Sequence, residues 1–223
     1  METRAGAIVR ALRRARPDAR VELDHRSPFE LLIATILSAQ CTDARVNQVT
    51  PELFRRFPTP QAMARASAKE IEALIRSTGF FRAKTRSILA CCRGLLDKHE
   101  GQVPRSMEEL NALAGVGRKT ANVVLGAAYG IPSGIVVDTH MARVARRLRL
   151  TRSDDPQRIE RDLVALLPRP QWIFFSIAMV LHGRYVCLAR RPLCGACPLN
   201  AYCPSRDLEA GSAPRRSRGR GRD

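Results

Sequence analysis

The sequence predicts an all-α protein, and two kinds of observation support this prediction. Apolar residues recur at helical spacing along nearly the whole chain, without a convincing set of alternating strands. Helix-start signals are also present: Ser27 and Asp155 each precede a proline, which suits the first helical turn. Ser106 and Glu109 have the spacing of a capping box. With 223 residues, the chain can form one large domain or two small ones, with an apolar core.

The helices are expected in the following order. The first is an ordinary helix around Ile8, Val9 and Leu12, whose apolar side chains share one face. The segment at 29–37 is almost wholly apolar, so its helix should be central and buried. The remaining helices are expected at about 43–57, 62–78 (as one or two short helices), 86–99, from 106, then 118–129, 139–150, 155–167 and 172–182.

Basic residues greatly outnumber acidic ones. Lys and Arg number 38 against 21 Asp and Glu, so the formal net charge is +17. This excess favours a polyanionic partner, and nucleic acid is the first candidate. An anionic membrane surface is the rival, but no apolar run approaches the roughly 20 residues that span a bilayer. Charge that serves solubility alone is a third interpretation, although it would suit an acidic protein equally well.

Seven cysteines in a chain without a secretory signal indicate a cytoplasmic protein rather than a disulfide framework. The arginine-rich N-terminus could be mistaken for a transit peptide, but it has no serine and carries Glu2, so it is interpreted as an ordinary first helix. Cys41, Cys91 and Cys92 lie in apolar helical patterns and are expected to be buried thiols.

The other four cysteines lie close together near the C-terminus, in the pattern Cys187-x6-Cys194-x2-Cys197-x5-Cys203. Thiolates joined by short loops can hold one metal ion or one iron–sulfur cluster. Structural zinc is a competitor on spacing alone. Zinc sites usually contain two closely spaced cysteine pairs, however, and this chain has one such pair.

The most informative stretch is residues 113–140, LAGVGRKTANVVLGAAYGIPSGIVVDTH. Gly115 and Gly117 permit positive φ and a close approach of the backbone to a partner. A helix should begin near Arg118, with first-turn amides and a dipole that suit an anion. That dipole and desolvation would both favour a neutral, nucleophilic amine at Lys119, for which a solvated surface lysine is the alternative. Asp138 ends the apolar segment, and the alternative for it is a helix N-cap.

The sequence LAGVGRKTANVVL followed by VVDTH resembles the helix-hairpin-helix and Gly/Pro-Asp loop of the endonuclease III family of DNA glycosylases. The likeness extends from about residue 5 to residue 205. It departs in two places: Ala114 stands where the family usually has proline, and Ser133-Gly134 lengthens the loop before Asp138.

The resemblance implies an all-α, two-lobed fold with discontinuous chain order and DNA bound in a cleft between the lobes. Residues 25–132 would form a six-helix lobe with the hairpin, and residues 1–24 and 133–205 would form an iron–sulfur lobe. Residues 206–223 contain arginine, glycine and serine but few core-forming side chains, so a disordered basic tail is expected there.

By the same resemblance, the protein is a bifunctional DNA glycosylase and abasic-site lyase that removes oxidised pyrimidines in base excision repair. Lys119 would attack C1′ of a flipped nucleotide and form a Schiff base, and β-elimination would then cut the strand. Asp138 would accept a proton from Lys119 or stabilise positive charge on the sugar. The cysteine spacing agrees with the family's iron–sulfur loop at every position, which implies a structural [4Fe–4S] cluster on Cys187, Cys194, Cys197 and Cys203.

The expected partner is double-stranded DNA that contains damaged bases or abasic sites, bound by a monomer. In the family pattern LSAQ-x-TD, Gln40 fills the gap left by the flipped base, and Phe80 aligns with the residue that intercalates. The simpler interpretation of the segment with Gln40 is a solvated turn, and that of Phe80 is a core contact. The run Arg143, Arg146, Arg147 and Arg149 indicates phosphate contacts or a solvated face. The residues expected to contact DNA are Gln40, Phe80, Arg82, Lys84, Gly115, Val116, Gly117, Arg118, His140, Arg143, Arg190 and Arg191.

Two other functions stay open at the level of sequence. An adenine or mismatch glycosylase of the same superfamily typically lacks the lysine, so Lys119 counts against it. The rival of another class is a non-catalytic or weakly active iron–sulfur DNA-binding or damage-sensing protein, against which Lys119 and Asp138 together count. In a bacterium, the protein is expected in the cytoplasm, on the nucleoid.

Overall fold

The computed structural model describes residues 3–206, in which every regular element is an α-helix or a short 3-10 helix. The α-helices are α1 (Arg4–Ala15), α2 (Pro28–Leu37), α3 (Asp43–Arg56), α4 (Pro60–Arg65), α5 (Ala68–Ile75), α6 (Phe81–His99), α7 (Met107–Asn111), α8 (Arg118–Tyr129), α9 (Thr139–Arg147), α10 (Pro156–Leu166) and α11 (Trp172–Tyr185). The 3-10 helices of this part of the chain are Arg76–Thr78, Arg169–Gln171, Cys194–Ala196 and Asn200–Tyr202. The predicted all-α class is confirmed, and the predicted tail from residue 207 onward lies outside the described residues.

Side-chain caps account for the start of most α-helices. First-turn amides donate to the side chains of Thr3, Ser27, Thr42, Thr59, Ser67, Ser106, Asp138 and Asp155. Each cap of this kind contributes about 1 kcal/mol. At Ser106 the hydroxyl accepts from the Glu109 amide and donates to the Glu109 carboxylate, whereas both bonds of a capping box form at Ser67 and Glu70.

The chain is organised into two compact units. The hairpin unit comprises Arg20–Val136 and Pro168–Ile177, and the described part of the cysteine unit comprises residues 3–19, 137–167 and 178–206. These limits differ from the predicted ones at 20–24, 133–136 and 168–177, all of which belong to the hairpin unit. Hydrogen bonds explain the last difference: the Val136 N–H donates to Ser176 Oγ, and Arg169 Nε donates to the Pro132 carbonyl.

Helix α2 is the centre of the core of the hairpin unit, as its apolar sequence predicts. It packs against α3, α6 and α8, while α7 packs against α8. The side chains of Leu31, Leu32, Ile33 and Leu37 are fully buried. Burial of a side chain of this size stabilises the fold by about 1.5–3 kcal/mol. The helices on both sides of the hairpin are therefore held on a rigid core.

Two segments of the hairpin unit differ from their predicted limits. Residues 62–78 divide into α4, α5 and a 3-10 helix, so the described chain has α2 to α8 in this unit where six helices were predicted. Helix α6 begins at Phe81 rather than near Arg86. The reason is the left-handed backbone of Gly79 and Phe80, with φ of 70° and 46°, which ends one turn and starts the next helix.

In the cysteine unit, α9 packs against α10, and α1 lies against the 3-10 helix Asn200–Tyr202. The core of this unit includes Ile8, Leu12 and Val144, which are all buried. Arg4 Nη1 donates to the carbonyls of Leu148 and Tyr202, at 2.8 and 3.1 Å. The first helix thus holds the last segment of the cysteine-rich region in place.

Within residues 3–206, no single helix combines the length and the apolar character that a membrane span requires. One bent pair, Pro156–Leu166 with Arg169–Tyr185, meets the length and composition criteria only when its members are taken together.

Candidate active site

A tight hairpin connects α7 to α8 in the hairpin unit. The Val116 N–H donates to the Leu113 carbonyl at 3.2 Å. Gly115 has a φ of +76°, and a Cβ at this position would lie 2.7 Å from the Cβ of Ser87. Gly117 has a φ of −92° and open space where a Cβ would be. The sequence suggested that both Gly115 and Gly117 need the conformational freedom of glycine, but only Gly115 does.

Val116 does not have the exposed position that a DNA contact requires of its side chain. Its side chain is buried, and its amide already donates to Leu113. The neighbouring Gly117 is exposed and is the N-cap of α8. A phosphate can therefore approach the hairpin at Gly117 and at the first turn of α8, where the backbone amides point along the helix axis.

Lys119 is the second residue of α8, and its side chain is exposed. Its place in the first turn matches the prediction, so the helix dipole disfavours a positive charge there. The predicted desolvation is absent in the free protein, because an exposed amine keeps its water. A bound substrate would have to remove that water.

Asp138 is the N-cap of α9 in the cysteine unit and is half-buried. Its Oδ1 accepts a hydrogen bond of 2.8 Å from the Met141 N–H. The N-cap alternative is therefore correct, and it is compatible with a chemical role, because the cap engages one carboxylate oxygen and Oδ2 can still accept a proton. Lys119 and Asp138 belong to different units, and their apposition in a cleft stays a prediction.

The loop before Asp138, which Ser133-Gly134 lengthens, is anchored within the hairpin unit. Ser133 Oγ donates to Asn122 Oδ1 at 2.7 Å, and the Ser133 N–H donates to the Ile131 carbonyl at 3.0 Å. Gly134 and Ile135 are buried. The additional length is therefore held by a side chain of α8 and by the core.

Gln40 and Phe80 occupy two exposed turns of the hairpin unit with the same unusual backbone. Their φ angles are 52° and 46°, which lie in the left-handed region that few residues other than glycine adopt. Phe80 has 66% of its surface exposed, so it is not the core contact that was its simpler interpretation. Arg82 is also exposed, and its guanidinium lies 5.5 Å from the centre of the Phe81 ring.

The prediction that Lys84 contacts DNA phosphates is wrong for this structure. Its side chain is buried, and its Nζ donates to the Thr78 carbonyl at 2.7 Å. Burial lowers the pKa of Lys84, while the nearby Cys41 opposes that shift. The sequence could not reveal this position, because the first turn of α6 was not predicted to begin at Phe81.

The four predicted phosphate-contacting arginines in α9 and just after it have different environments. Arg143 donates through Nη2 to the Gly183 carbonyl at 2.7 Å and through Nε to the Cys187 carbonyl at 3.1 Å. Its Nη2 is also 3.2 Å from Nδ1 of half-buried His140. Arg146 pairs with Asp154, and Arg149 is exposed. The guanidinium of Arg143 thus supports the chain beside Cys187, and its contact with DNA stays a prediction.

Arg147 also supports the cysteine loop, defined here as residues 187–203. Its Nη1 lies 3.3 Å from Cys187 Sγ and donates to the Leu188 carbonyl, and its Nη2 donates to the Ala189 carbonyl. The spacing of Arg143 and Arg147 by four residues places both on one face of α9. That spacing is the sequence signal for a shared role. Arg190 and Arg191, in the same loop, are exposed.

All four cysteines of the loop line one cavity, and no disulfide forms among the described residues. Burial raises the pKa of Cys197, and the other three thiols raise it further. Four thiols that share one space repel each other as thiolates, and metal atoms remove that repulsion. The arrangement therefore fits a cluster held by Cys187, Cys194, Cys197 and Cys203. Within residues 3–206, no group of three or more His, Cys, Asp or Glu side chains is arranged to hold a single metal ion.

His182 lies beside this cavity. Its Nε2 is 3.6 Å from Cys197 Sγ, and its side chain is buried. Burial, with a smaller effect of Arg16, lowers the pKa of His182 to about 4. The imidazole is therefore neutral at neutral pH.

The three cysteines of the hairpin unit differ in burial. Cys91 and Cys92 are buried thiols as predicted, and burial raises the pKa of each to about 12. Cys41 is half-buried.

Comparison with known families agrees with this arrangement. Residues 33–169 match the HhH-GPD superfamily of base excision DNA repair proteins, and residues 187–203 match the iron–sulfur binding domain of endonuclease III. Endonuclease III of Synechocystis sp. is 54% identical over 202 residues, which cover 91% of this chain and 92% of that protein. The chain belongs to the endonuclease III family.

Solved structures of endonuclease III are also similar. A non-covalent endonuclease III–DNA complex has a TM-score of 0.86 at 45% identity and covers 92% of this chain and 97% of that one. A trapped covalent endonuclease III–DNA intermediate has the same score and identity and covers 92% and 98%. The predicted family, fold and cofactor are confirmed. The protein is a DNA glycosylase with abasic-site lyase activity in base excision repair, and it carries a [4Fe–4S] cluster.

Proposed function

We propose that Lys119 is the nucleophile of this glycosylase and that it forms a covalent imine with damaged DNA. The observation that carries the proposal is the position of Lys119: an exposed amine in the first turn of α8, directly after the Gly115–Gly117 hairpin. The trapped covalent complex of a 45% identical endonuclease III supports it, because such a complex requires a nucleophile on the protein.

The reaction that this amine performs has four steps. The unprotonated Nζ of Lys119 bonds to C1′ while the C1′–N bond breaks, and the base leaves with the electron pair and a proton. The C1′–O4′ bond then breaks, O4′ takes a proton, and a C1′=N Schiff base forms. Loss of a C2′ proton expels the 3′ phosphate as the C3′–O bond breaks. Water finally hydrolyses the Schiff base and releases Lys119.

Asp138 is the acid–base partner in this proposal. Its Oδ1 is held by the Met141 amide, which fixes the orientation of the carboxylate. Oδ2 then accepts a proton from the Lys119 ammonium or offsets positive charge on the sugar. A positioned proton acceptor contributes about 10²–10⁴-fold to the rate of a proton-transfer step. The cluster supplies no reacting group; when bound, it stabilises the cysteine loop and presents Arg190 and Arg191 to the DNA.

The proposed substrate is duplex DNA with an oxidised pyrimidine or an abasic site, bound by a monomer. Phosphates would meet the exposed Gly117 and Arg118 at the start of α8, and Arg82, Arg190 and Arg191 elsewhere. In a bacterium the enzyme would act on the nucleoid, in the cytoplasm. A panel of duplexes with single lesions tests the specificity: oxidised pyrimidines should be released, whereas an adenine opposite an oxidised guanine or a G·T mismatch should not.

The hairpin permits a matched test with its two glycines. Gly115→Ala should destabilise the protein by about 1–3 kcal/mol, because alanine is strained at positive φ and its Cβ meets Ser87. Gly117→Ala should change stability by less than about 0.5 kcal/mol, since its φ is negative and space is open. It should nevertheless weaken duplex binding, because a methyl group would keep a phosphate from the amides. Thermal unfolding and DNA titration measure the two effects; unchanged binding by Gly117→Ala would remove the hairpin from the interface.

We further propose that Phe80 enters the base stack beside the flipped nucleotide and that Gln40 fills the gap. Both side chains are exposed on left-handed turns of one unit, which supports a shared role. Phe80→Ala should weaken binding to lesion duplex about tenfold more than binding to undamaged duplex, because only the first requires unstacking. Binding titrations on both duplexes check this. Equal losses together with a lower melting temperature would instead assign Phe80 a structural role.

A further inference from the structure

Lys84 is a buried lysine for which the reaction described above has no use. It lies in the first turn of α6 with 5% of its surface exposed. Its Nζ donates to the Thr78 carbonyl at 2.7 Å, and its backbone N–H donates to the Phe80 carbonyl at 3.0 Å. The backbone bond is the first helical bond of α6 and would form with any residue other than proline, whereas the ammonium bond anchors Thr78, the residue before Gly79.

The turn at Phe80 requires such support. Gly79 and Phe80 have φ of 70° and 46°, and a phenylalanine in the left-handed region is strained by about 1–3 kcal/mol. The Phe80 ring is 66% exposed, so its own packing contributes little to the conformation. Phe80 is also the N-cap of α6 without a side-chain cap bond. The conformation must therefore be fixed by neighbouring groups, and the ammonium of Lys84, which donates to the Thr78 carbonyl, is one of them.

A buried ammonium is an unfavourable choice for stability alone. Removing a charge from water costs several kcal/mol in an apolar environment, and one carbonyl acceptor compensates only part of that cost. An apolar side chain of similar length would fill the same space without that cost. A lysine at this position is therefore better explained by the conformation that it imposes than by the stability that it adds.

We propose that Lys84 is a positioning residue that holds the Phe80 turn in the conformation that enters the DNA stack. The inference rests on the proposed insertion of Phe80 and deepens it. It predicts that Lys84 affects the opening of duplex DNA and leaves the chemistry at C1′ unchanged. Lys84 touches neither the substrate nor Lys119 in this role.

The test compares Lys84→Met, which keeps the stem and removes the ammonium, with Phe80→Ala, the double variant and Arg82→Met. Arg82 is the matched control, since it carries the same charge in the same helical turn but is exposed. Holoenzymes are normalised to their active fraction by borohydride trapping. Three quantities are measured: fluorescence of a 2-aminopurine beside the lesion as a report of unstacking, single-turnover base release from lesion duplex, and strand cleavage at an abasic site in single-stranded DNA.

Lys84→Met should lower the unstacking signal and slow base release from duplex about tenfold, the factor that corresponds to losing a strained turn. Cleavage of the single strand should remain at the wild-type rate, because no stack has to be entered. The double variant should be no slower than Phe80→Ala, since both remove the same step. Arg82→Met should weaken binding in a salt-dependent manner, but at protein concentrations that saturate the DNA its unstacking signal should equal that of the wild type.

Four outcomes would overturn the inference. If Lys84→Met unstacks the duplex and releases the base at the wild-type rate while Phe80→Ala is defective, the role of Lys84 is overturned and the insertion of Phe80 is not. Additive effects of the two substitutions, or equal slowing on single-stranded and duplex DNA, would assign Lys84 a general structural role. A Phe80→Ala protein with normal unstacking would overturn the insertion of Phe80 and this inference with it. If Lys84→Met does not fold, Lys84→Gln replaces it: its amide is shorter, uncharged and a weaker donor to the Thr78 carbonyl, so unstacking and base release should be reduced less than by Lys84→Met, and wild-type values of both would overturn the inference.

Discussion

Lys119→Ala should abolish both base release and borohydride trapping on lesion DNA while the protein remains folded. A Schiff base requires a primary amine, and alanine offers none. The fold should tolerate the change, because an exposed side chain in the first turn of α8 contributes little packing. Binding to lesion DNA should be equal to that of the wild type or tighter, since a cation that the helix dipole disfavours has been removed.

The chain offers unusually clear controls for this experiment. Its lysines are Lys69, Lys84, Lys98 and Lys119. Lys69 and Lys98 are exposed, so Lys69→Ala and Lys98→Ala remove amines of equal accessibility and should trap at the wild-type rate. A Lys119→Ala protein that still traps at the wild-type rate would show that another amine, such as the N-terminal one, is the nucleophile.

Asp138→Asn separates proton transfer from nucleophilic attack in the same assay. Asparagine can still accept the Met141 amide as an N-cap, so the variant should fold and melt close to the wild type. Single-turnover base release should slow by about 10²–10⁴-fold, while some trapping survives because Lys119 is present. A wild-type rate would leave Asp138 with its capping role only.

Cys197→Ser should cause the second large effect, which is loss of the cluster and of a stable cysteine loop. A serine hydroxyl replaces the thiolate, and the binding free energy of a metal centre is also folding free energy for the segment that holds it. The wild-type protein should contain about four irons per chain and absorb broadly in the visible range, as a cluster of this type does. The variant should be colourless and should melt at a lower temperature.

Cys41→Ser is the control for this change, because Cys41 belongs to the hairpin unit and lies outside the cysteine loop. It should retain its iron and its colour. Iron analysis, visible spectra and thermal unfolding monitored by circular dichroism distinguish the two variants. Four irons retained by Cys197→Ser would exclude this thiol from the ligand set.

The sequence alone determined the all-α class, most helix limits, the glycine hairpin and the cysteine pattern. These features depend on interactions over three or four residues, such as the cap of Asp138 on Met141, or on fixed spacings, such as that of Cys194 and Cys197. Local interactions of this kind leave a direct signal in the order of residues. The motif around Lys119 was recognisable for the same reason.

Only the tertiary structure decided what the long basic side chains contact. Lys84, Arg143 and Arg147 all suggested phosphate contacts, yet each donates to backbone carbonyls of its own protein. The direction of such a side chain depends on which face of its helix meets the core, and that face is set by residues distant in sequence. The same reason distinguishes Gly115 from Gly117: the close approach of Ser87, from another helix, makes only one of the two glycines indispensable.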